Sequence, residues 1–199
     1  MKKVNIFIII FSILINPALA ADIPIIVIAP SQKAQSKSTV GTSVAVYDEY
    51  EIGQSNDYFL GDVLDNGTTS FNYFQTGGHG MTSGIQLRGL PKRYSTVYID
   101  GVRQSDPSSV QDDYEFNHLL KNSISRVEIL KGNQSSVYGS GAMGGTINIT
   151  TKRGKPGFQR DIVYNTGSHD THNLGVSMSG ANEKNDFYFG LERFITDGI

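Results

Sequence analysis

The spacing of apolar residues along this chain changes period several times, and each change marks a different kind of segment. Residues 4–15 are almost unbrokenly apolar behind Lys2 and Lys3, and Ala18-Leu19-Ala20 follows them. A basic start, a short apolar core and a small-x-small site make residues 1–20 an export signal; the core falls short of the roughly 20 residues a spanning helix needs. A second apolar run, Ile23-Pro24-Ile25-Ile26-Val27-Ile28-Ala29, leads into the polar run SQKAQSKST, which has no apolar period. Residues 21–42 therefore read as an extended arm on a linker-like tether. Short strand patterns then recur at 44–47, 85–88, 96–100, 124–130 and 146–150, with glycine turns between them. Asn56 or Asp57 is placed to cap a brief helix through Leu64, with Phe59, Leu60, Val63 and Leu64 on one face. Residues 116–120 give a turn or two of another helix. Residues 43–155 thus form a small α+β domain with a mixed, short-stranded sheet.

Beyond residue 160 the period becomes two. Leu174, Val176 and Met178 alternate with Asn173, Gly175, Ser177 and Ser179, and Phe187, Phe189 and Leu191 alternate with Tyr188, Gly190 and Glu192. Turns are expected at 166–169 and 182–185. Apolar residues on one face and small or polar residues on the other describe two or three antiparallel strands of an incomplete β-barrel over 156–199. Single-chain membrane barrels carry about 8 strands or more, and open strand edges in hydrocarbon cost several kcal/mol per unpaired group. These strands are therefore expected to belong to a larger barrel or to a truncated product.

Composition narrows the function classes. The chain has 17 basic and 19 acidic residues, a net charge of −2, and loss of Lys2 and Lys3 with the signal would take it to −4. That balance gives no electrostatic case for nucleic acid. There is no cysteine, so an exported chain must be held by packing and hydrogen bonds. The 22 glycines, 10 tyrosines and 10 phenylalanines, without tryptophan, suit strands and turns better than a helical bundle.

No motif makes a case for catalysis, a cofactor or a resident metal. Gly139-Ser140-Gly141-Ala142-Met143-Gly144 matches G-x-G-x-x-G, but a strand pattern follows it where a dinucleotide site needs a helix, so the glycines read as a tight turn. His169 and His172 lie three apart in a turn and lack further ligands. Asp106, Asp112 and Asp113 have no EF-hand spacing. G-x-S-x-G and H-E-x-x-H are absent, and the chain is expected not to be an enzyme.

Five phrases in order carry a resemblance: Arg88-Gly89 closing a strand, Tyr98-Ile99-Asp100-Gly101-Val102, Arg126-Val127-Glu128, Tyr138-Gly139-Ser140-Gly141-Ala142, and Gly144-Gly145-Thr146-Ile147-Asn148-Ile149. They resemble the plug domain of TonB-dependent outer-membrane receptors, in wording nearest the cobalamin- and siderophore-receptor branch. The resemblance implies a plug at 43–155 that gates active uptake of a scarce ligand, a metal chelate or cobalamin-like compound, in the cell outer membrane. It implies that Ile23, Pro24, Ile25, Ile26, Val27, Ile28 and Ala29 form the TonB box, which adds as an edge strand to a TonB-type periplasmic energy-transducing protein. Gln75, Gly78, His79, Met81, Gln104, Asp106, Asp112 and Tyr114 fall on loops that face the ligand in that family. Arg88, Glu128 and Lys131 fall where plug charges lock against the barrel wall. Here the chain departs from the family, with Lys131 and Asn133 where arginine and proline are common; lysine lacks the bidentate fork. A stand-alone periplasmic plug-like binding module and a non-functional receptor fragment are the alternative readings.

Overall fold

The computed structural model describes residues 26–29, 33–110 and 114–198. The expected export signal, the arm residues Ile23, Pro24 and Ile25, and Asp112 and Asp113 lie outside these residues. In the arm, β1 (Ile26–Val27) pairs antiparallel with β2 (Gln35–Ser36), and a 3-10 turn at Lys37–Thr39 follows. Gln35 and Ser36, within the polar stretch expected as linker, are thus a paired strand.

Strand β3 (Ser43–Asp48) runs into helix α1 (Glu49–Gln54), which the sequence pattern did not announce. Its start is a reciprocal capping box: the Asp48 carboxylate accepts the Glu51 N–H at 2.8 Å and the Glu51 side chain accepts the Asp48 N–H at 3.1 Å. Helix α2 (Leu60–Gly67) buries Leu60, Val63 and Leu64, the face expected from their spacing. It starts later than Asn56 or Asp57 because the preceding chain is extended. Leu60 N–H donates to Leu119 O at 2.8 Å, Lys121 N–H donates to Tyr58 O at 3.2 Å, and Phe59 bridges Leu120. The same pairing overturns the expected helix at 116–120, which is a turn followed by extended chain. Asp57 instead accepts from Ser55 Oγ and Asn66 Nδ2.

Next come the hairpin β4 (Phe71–Gln75) and β5 (Ser83–Leu87), then the hairpin β6 (Ser95–Ile99) and β7 (Val102–Gln104). The second turns at Asp100 and Gly101, both with positive φ, and the Asp100 carboxylate accepts the Thr151 N–H at 2.9 Å. Strand β8 (Ile124–Lys131), helix α3 (Ser135–Tyr138) and β9 (Gly145–Thr151) complete a five-stranded sheet of order β3-β8-β9-β6-β7. Only β6 and β9 are parallel in it. Alternation places Val97, Val127, Ile129, Ile147 and Ile149 on one face, packed with Ile52, Leu60, Leu64, Phe71, Leu87 and Phe116. Val44 and Leu130 lie on the other face, against Val27, Ala29, Tyr138 and Ala142. The central strands are covered on both faces, and buried residues run consecutively over Val127–Leu130 of β8 and Gly145–Ile147 of β9. Gly145 sits where a Cβ would overlap the Leu130 carbonyl oxygen, so only glycine passes between the strands.

The chain ends its described part in an antiparallel meander of β10 (Gly157–Gly167), β11 (Thr171–Ala181) and β12 (Asp186–Ile195). The register aligns Ile162, Val176 and Leu191 on one exposed face. Asn173 and Ser179, on the opposite face, are buried. Asn182 closes the second turn, its side chain accepting the Lys184 and Asn185 N–H groups. The α+β reading with a mixed sheet and three following antiparallel strands therefore holds.

Candidate functional site

Strand β8 carries its one acidic residue, Glu128, between Val127 and Ile129, and Glu128 lands on the face that the arm covers. The residue is 4 % exposed. A carboxylate so deeply buried must be paired and hydrogen-bonded. Oε2 accepts the Ile28 N–H at 3.0 Å and the Ala29 N–H at 2.8 Å, and Oε1 accepts Arg126 Nε–H at 2.8 Å. The Tyr138 hydroxyl donates to the Ala29 carbonyl, while Val27 and Ala29 fill the small apolar pocket between β3, β8 and α3. Burial pushes the Tyr138 phenol upward from its ordinary range. Beside the arm opens a cleft of about 720 Å³ whose walls include Tyr98, Arg126, Tyr138 and Arg153.

Arg88 and Lys131 come together at the far end of β8. Arg88 holds a left-handed backbone at φ 55° next to Gly89, and its guanidinium lies over Gly132. Lys131 Nζ donates to Thr68 Oγ1 at 3.0 Å and to the Thr69 carbonyl. Burial, then the neighbouring Arg88 and Lys37, holds the Lys131 ammonium below its usual range. Cations are concentrated here, and Glu128 is engaged elsewhere, on the arm.

The 76–82 loop, which bears Gly78, His79 and Met81, lies away from the arm's cleft. Arg153, in the arm's cleft, pairs with Asp186 at 2.8 Å at the start of β12, whereas His79 meets Phe194 near its finish. His79 stacks on Phe59 with ring centroids 4.8 Å apart, so it joins the loop to the meander. Gly78 accepts the Met81 N–H to close the 76–82 turn, and Met81 is exposed. Gln75 has its Nε2 buried without a hydrogen-bond partner. Tyr114 packs edge-on against Phe116 at 5.2 Å. Asn117 reaches the Gly80 carbonyl at 3.0 Å, tying the segment of Tyr114 to the loop of His79 and Met81. Gln104 bonds back to the Val102 carbonyl, and Asp106 caps its own turn through Ser108. Among the described residues no group of three or more His, Cys, Asp or Glu is placed to hold a metal ion.

Three groups at these contacts were missed from the sequence. Glu115 accepts the Ser83 N–H at 2.7 Å, the Ser83 hydroxyl at 3.0 Å and Lys92 Nζ at 2.7 Å, anchoring the loop segment to β5. Burial alone would raise the Glu115 carboxyl, but the Lys92 and Ser83 hydrogen bonds outweigh it and hold it below the usual range. Glu192 of β12 accepts from Asn122 at 2.5 Å and Asn173 at 2.9 Å, joining the meander's inner face to the domain. Tyr138 stood in plain view within the SSVYGSG phrase, but only the fold shows that its hydroxyl meets the arm.

Comparison with known proteins places this architecture. The family model for the TonB-dependent receptor plug domain matches residues 36–146, more than half of the 199-residue chain. The chain belongs to the TonB-dependent receptor plug family. Among solved structures it is similar to the pyoverdine outer membrane receptor FpvA of Pseudomonas aeruginosa PAO1, at 19 % identity and a TM-score of 0.71, over 86 % of this chain and 24 % of that one. It is similar to BauA, the ferric preacinetobactin receptor of Acinetobacter baumannii, at 16 % identity and a TM-score of 0.71, over 87 % of this chain and 25 % of that one. The ferric yersiniabactin uptake receptor FyuA of Yersinia pestis matches at 23 % identity and a TM-score of 0.59, over 78 % and 24 % of the two chains. At these identities the likeness is one of fold. The chain spans about a quarter of the length of these receptors, covering a plug and part of a barrel.

Proposed function

We propose that this chain is the gating and coupling part of an outer-membrane receptor that takes up a ferric chelate or a similarly scarce, cobalamin-like ligand. One observation carries the reading: a sheet buried on both faces continues directly into a meander whose outer face is apolar and exposed. Its inner face grips the domain through Glu192 and Phe194. That is the arrangement of a plug lodged against a lipid-facing wall. In this reading residues 23–29, from Ile23 to Ala29, are the segment a TonB-type protein pulls. The loops bearing Gln75, Gly78, His79, Met81, Gln104, Asp106, Asp112 and Tyr114 face the ligand. Arg88 and Lys131 receive acidic groups from the barrel wall, which would relieve the repulsion among these cations. Residues 1–20 direct export.

The test is uptake of radiolabelled ferric chelates and cobalamin by cells producing the receptor, with and without residues 23–29. Deleting the arm is expected to abolish accumulation and leave cell-surface binding intact. Undiminished accumulation without the arm would sink the coupling role, and absence of binding to every chelate and to cobalamin would sink the ligand class.

A further inference from the structure

The cleft of about 720 Å³ beside the arm falls in the size range of small-molecule sites. Its floor is one face of three neighbouring strands. Tyr98 of β6, Asn148 of β9 and Glu128 of β8 stand in register there, with Asp100, Thr150 and Arg126 two residues away along each chain segment. Tyr138 of α3 and Ile28 and Ala29 of the arm form walls, and Arg153 stands at the rim with its side chain 77 % exposed.

Nearly every polar group in this lining already has a partner. Asp100 accepts the Thr151 N–H at 2.9 Å through Oδ1 and the Thr151 hydroxyl at 2.6 Å through Oδ2. Both Glu128 oxygens are engaged, Oε2 by the arm and Oε1 by Arg126. Arg153 donates to Asp186 through Nε and Nη2. The Tyr98 hydroxyl donates to the Tyr138 carbonyl at 3.4 Å, and the Tyr138 hydroxyl to the Ala29 carbonyl. What the two phenols offer a guest is therefore ring carbon, from rings with centroids 5.0 Å apart and tilted by 59°. The exception is the Asn148 amide, whose Nδ2 is buried with no hydrogen-bond partner. A buried donor in that position calls for an acceptor.

We propose that this cleft is a binding site for a small uncharged aromatic carbonyl compound, its ring set against Tyr98 and Tyr138 and its carbonyl oxygen accepting Asn148 Nδ2–H. The charge balance selects a neutral guest. Arg126 and Glu128 neutralise each other at 2.8 Å, and Arg153 serves Asp186 while lying close enough to feel Asp100. A carboxylate placed here would add an anion beside Glu128 and Asp100, and an ammonium would find their oxygens engaged. A carbonyl oxygen meets the one donor that lacks a partner. The site is separate from the loops proposed above to face the transported ligand and does not rest on that reading.

The experiment is photo-crosslinking of the purified full chain in detergent with 4-benzoylbenzamide, a neutral aromatic amide, followed by peptide mapping. Labelling is expected on the peptides that carry Tyr98 and Tyr138. Benzamide in excess should suppress it at least about fivefold more effectively than ethylbenzene, which has the ring without an acceptor, or benzoate, which has the ring with a charge. Asn148→Leu deletes the donor and should lower the labelling by about the same factor, with near-ultraviolet circular dichroism unchanged. The competitor series is read on the parent chain, so it decides the matter even where the variant does not fold. Equal suppression by ethylbenzene would reduce the site to an apolar hollow and overturn the proposal. Stronger suppression by benzoate would make it an anion site and overturn it as well. Undiminished labelling of a folded Asn148→Leu chain would remove the donor's role. Labelling confined to the 76–82 loop or to the meander would place the probe elsewhere and refute the cleft.

Discussion

Strands β8 and β12 are both rich in large apolar residues, yet they treat them in opposite ways. In β8, Val127, Ile129 and Leu130 are fully buried, because the sheet has the α1–α2 layer on one side and the arm with α3 on the other. In β12, Phe187, Phe189 and Leu191 are 50 %, 58 % and 67 % exposed, although the polar side of the same strand is in contact with the domain. In the function proposed above, the difference lies in the medium each strand is built for. A plug sheet excludes water with protein atoms, whereas a wall strand presents its apolar side to hydrocarbon, and in water such a band would be an association surface. Truncation should therefore cost much in one region and little in the other.

The largest effect belongs to the sheet. Ile129→Ala removes a side chain with no exposure, packed within the main core, and is expected to lower unfolding stability by about 2–5 kcal/mol in denaturant titrations of the full chain. A loss under about 1 kcal/mol would mean that the site collapses around the smaller residue, and the contrast between regions would lose its stronger half.

How much of this contrast could be read in advance differed between the regions. The meander was legible because a period of two is a local property: residues 174, 176 and 178 face one way regardless of what surrounds them. The plug strands were legible as phrases, and the α2 face as a helical spacing. Tertiary pairing was not. The chain around Tyr58 and Phe59 and the chain around Leu119 and Leu120 each look helical alone, and each is extended where the two bond or bridge each other across some sixty residues. Glu128 was visible as a charge in an apolar strand, but its partners lie about 100 residues away on the arm. Glu115 gave no signal at all, since its role depends on Ser83 and Lys92 converging from separate elements.

That Glu115 anchor gives an intermediate effect, at the seam between core and loops. Its carboxyl is held below the ordinary glutamate range in the folded protein, chiefly by Lys92 and Ser83 against the effect of burial, so the stabilisation it contributes is complete above the unfolded value and is lost as pH falls through the lower, folded one. The protection of the Ser83 amide against hydrogen exchange, relative to an unstructured amide at the same pH, is expected to fall on acidification as the carboxylate is protonated. Glu115→Gln should cost about 1–2 kcal/mol at neutral pH and should flatten that acid response. An unchanged acid response in the variant would transfer the effect to another carboxylate.

The smallest expected effect is the most informative about the wall. Leu191 lies in register with Val176 and, through it, with Ile162, and all three side chains point away from the domain. Leu191→Ala deletes much the same hydrocarbon volume as Ile129→Ala. With two thirds of its surface already open, it has few protein contacts to lose, and the expected change in detergent is within about 0.5 kcal/mol. The comparison then stands as a difference of surroundings and not of residue type. A loss of about 2 kcal/mol or more would have one physical reading, because only a side chain packed against other side chains leaves a cavity of that cost. It would mean that protein, not lipid or detergent, covers the outer face of the meander, and the wall assignment would fail at the strand where its alternation is clearest.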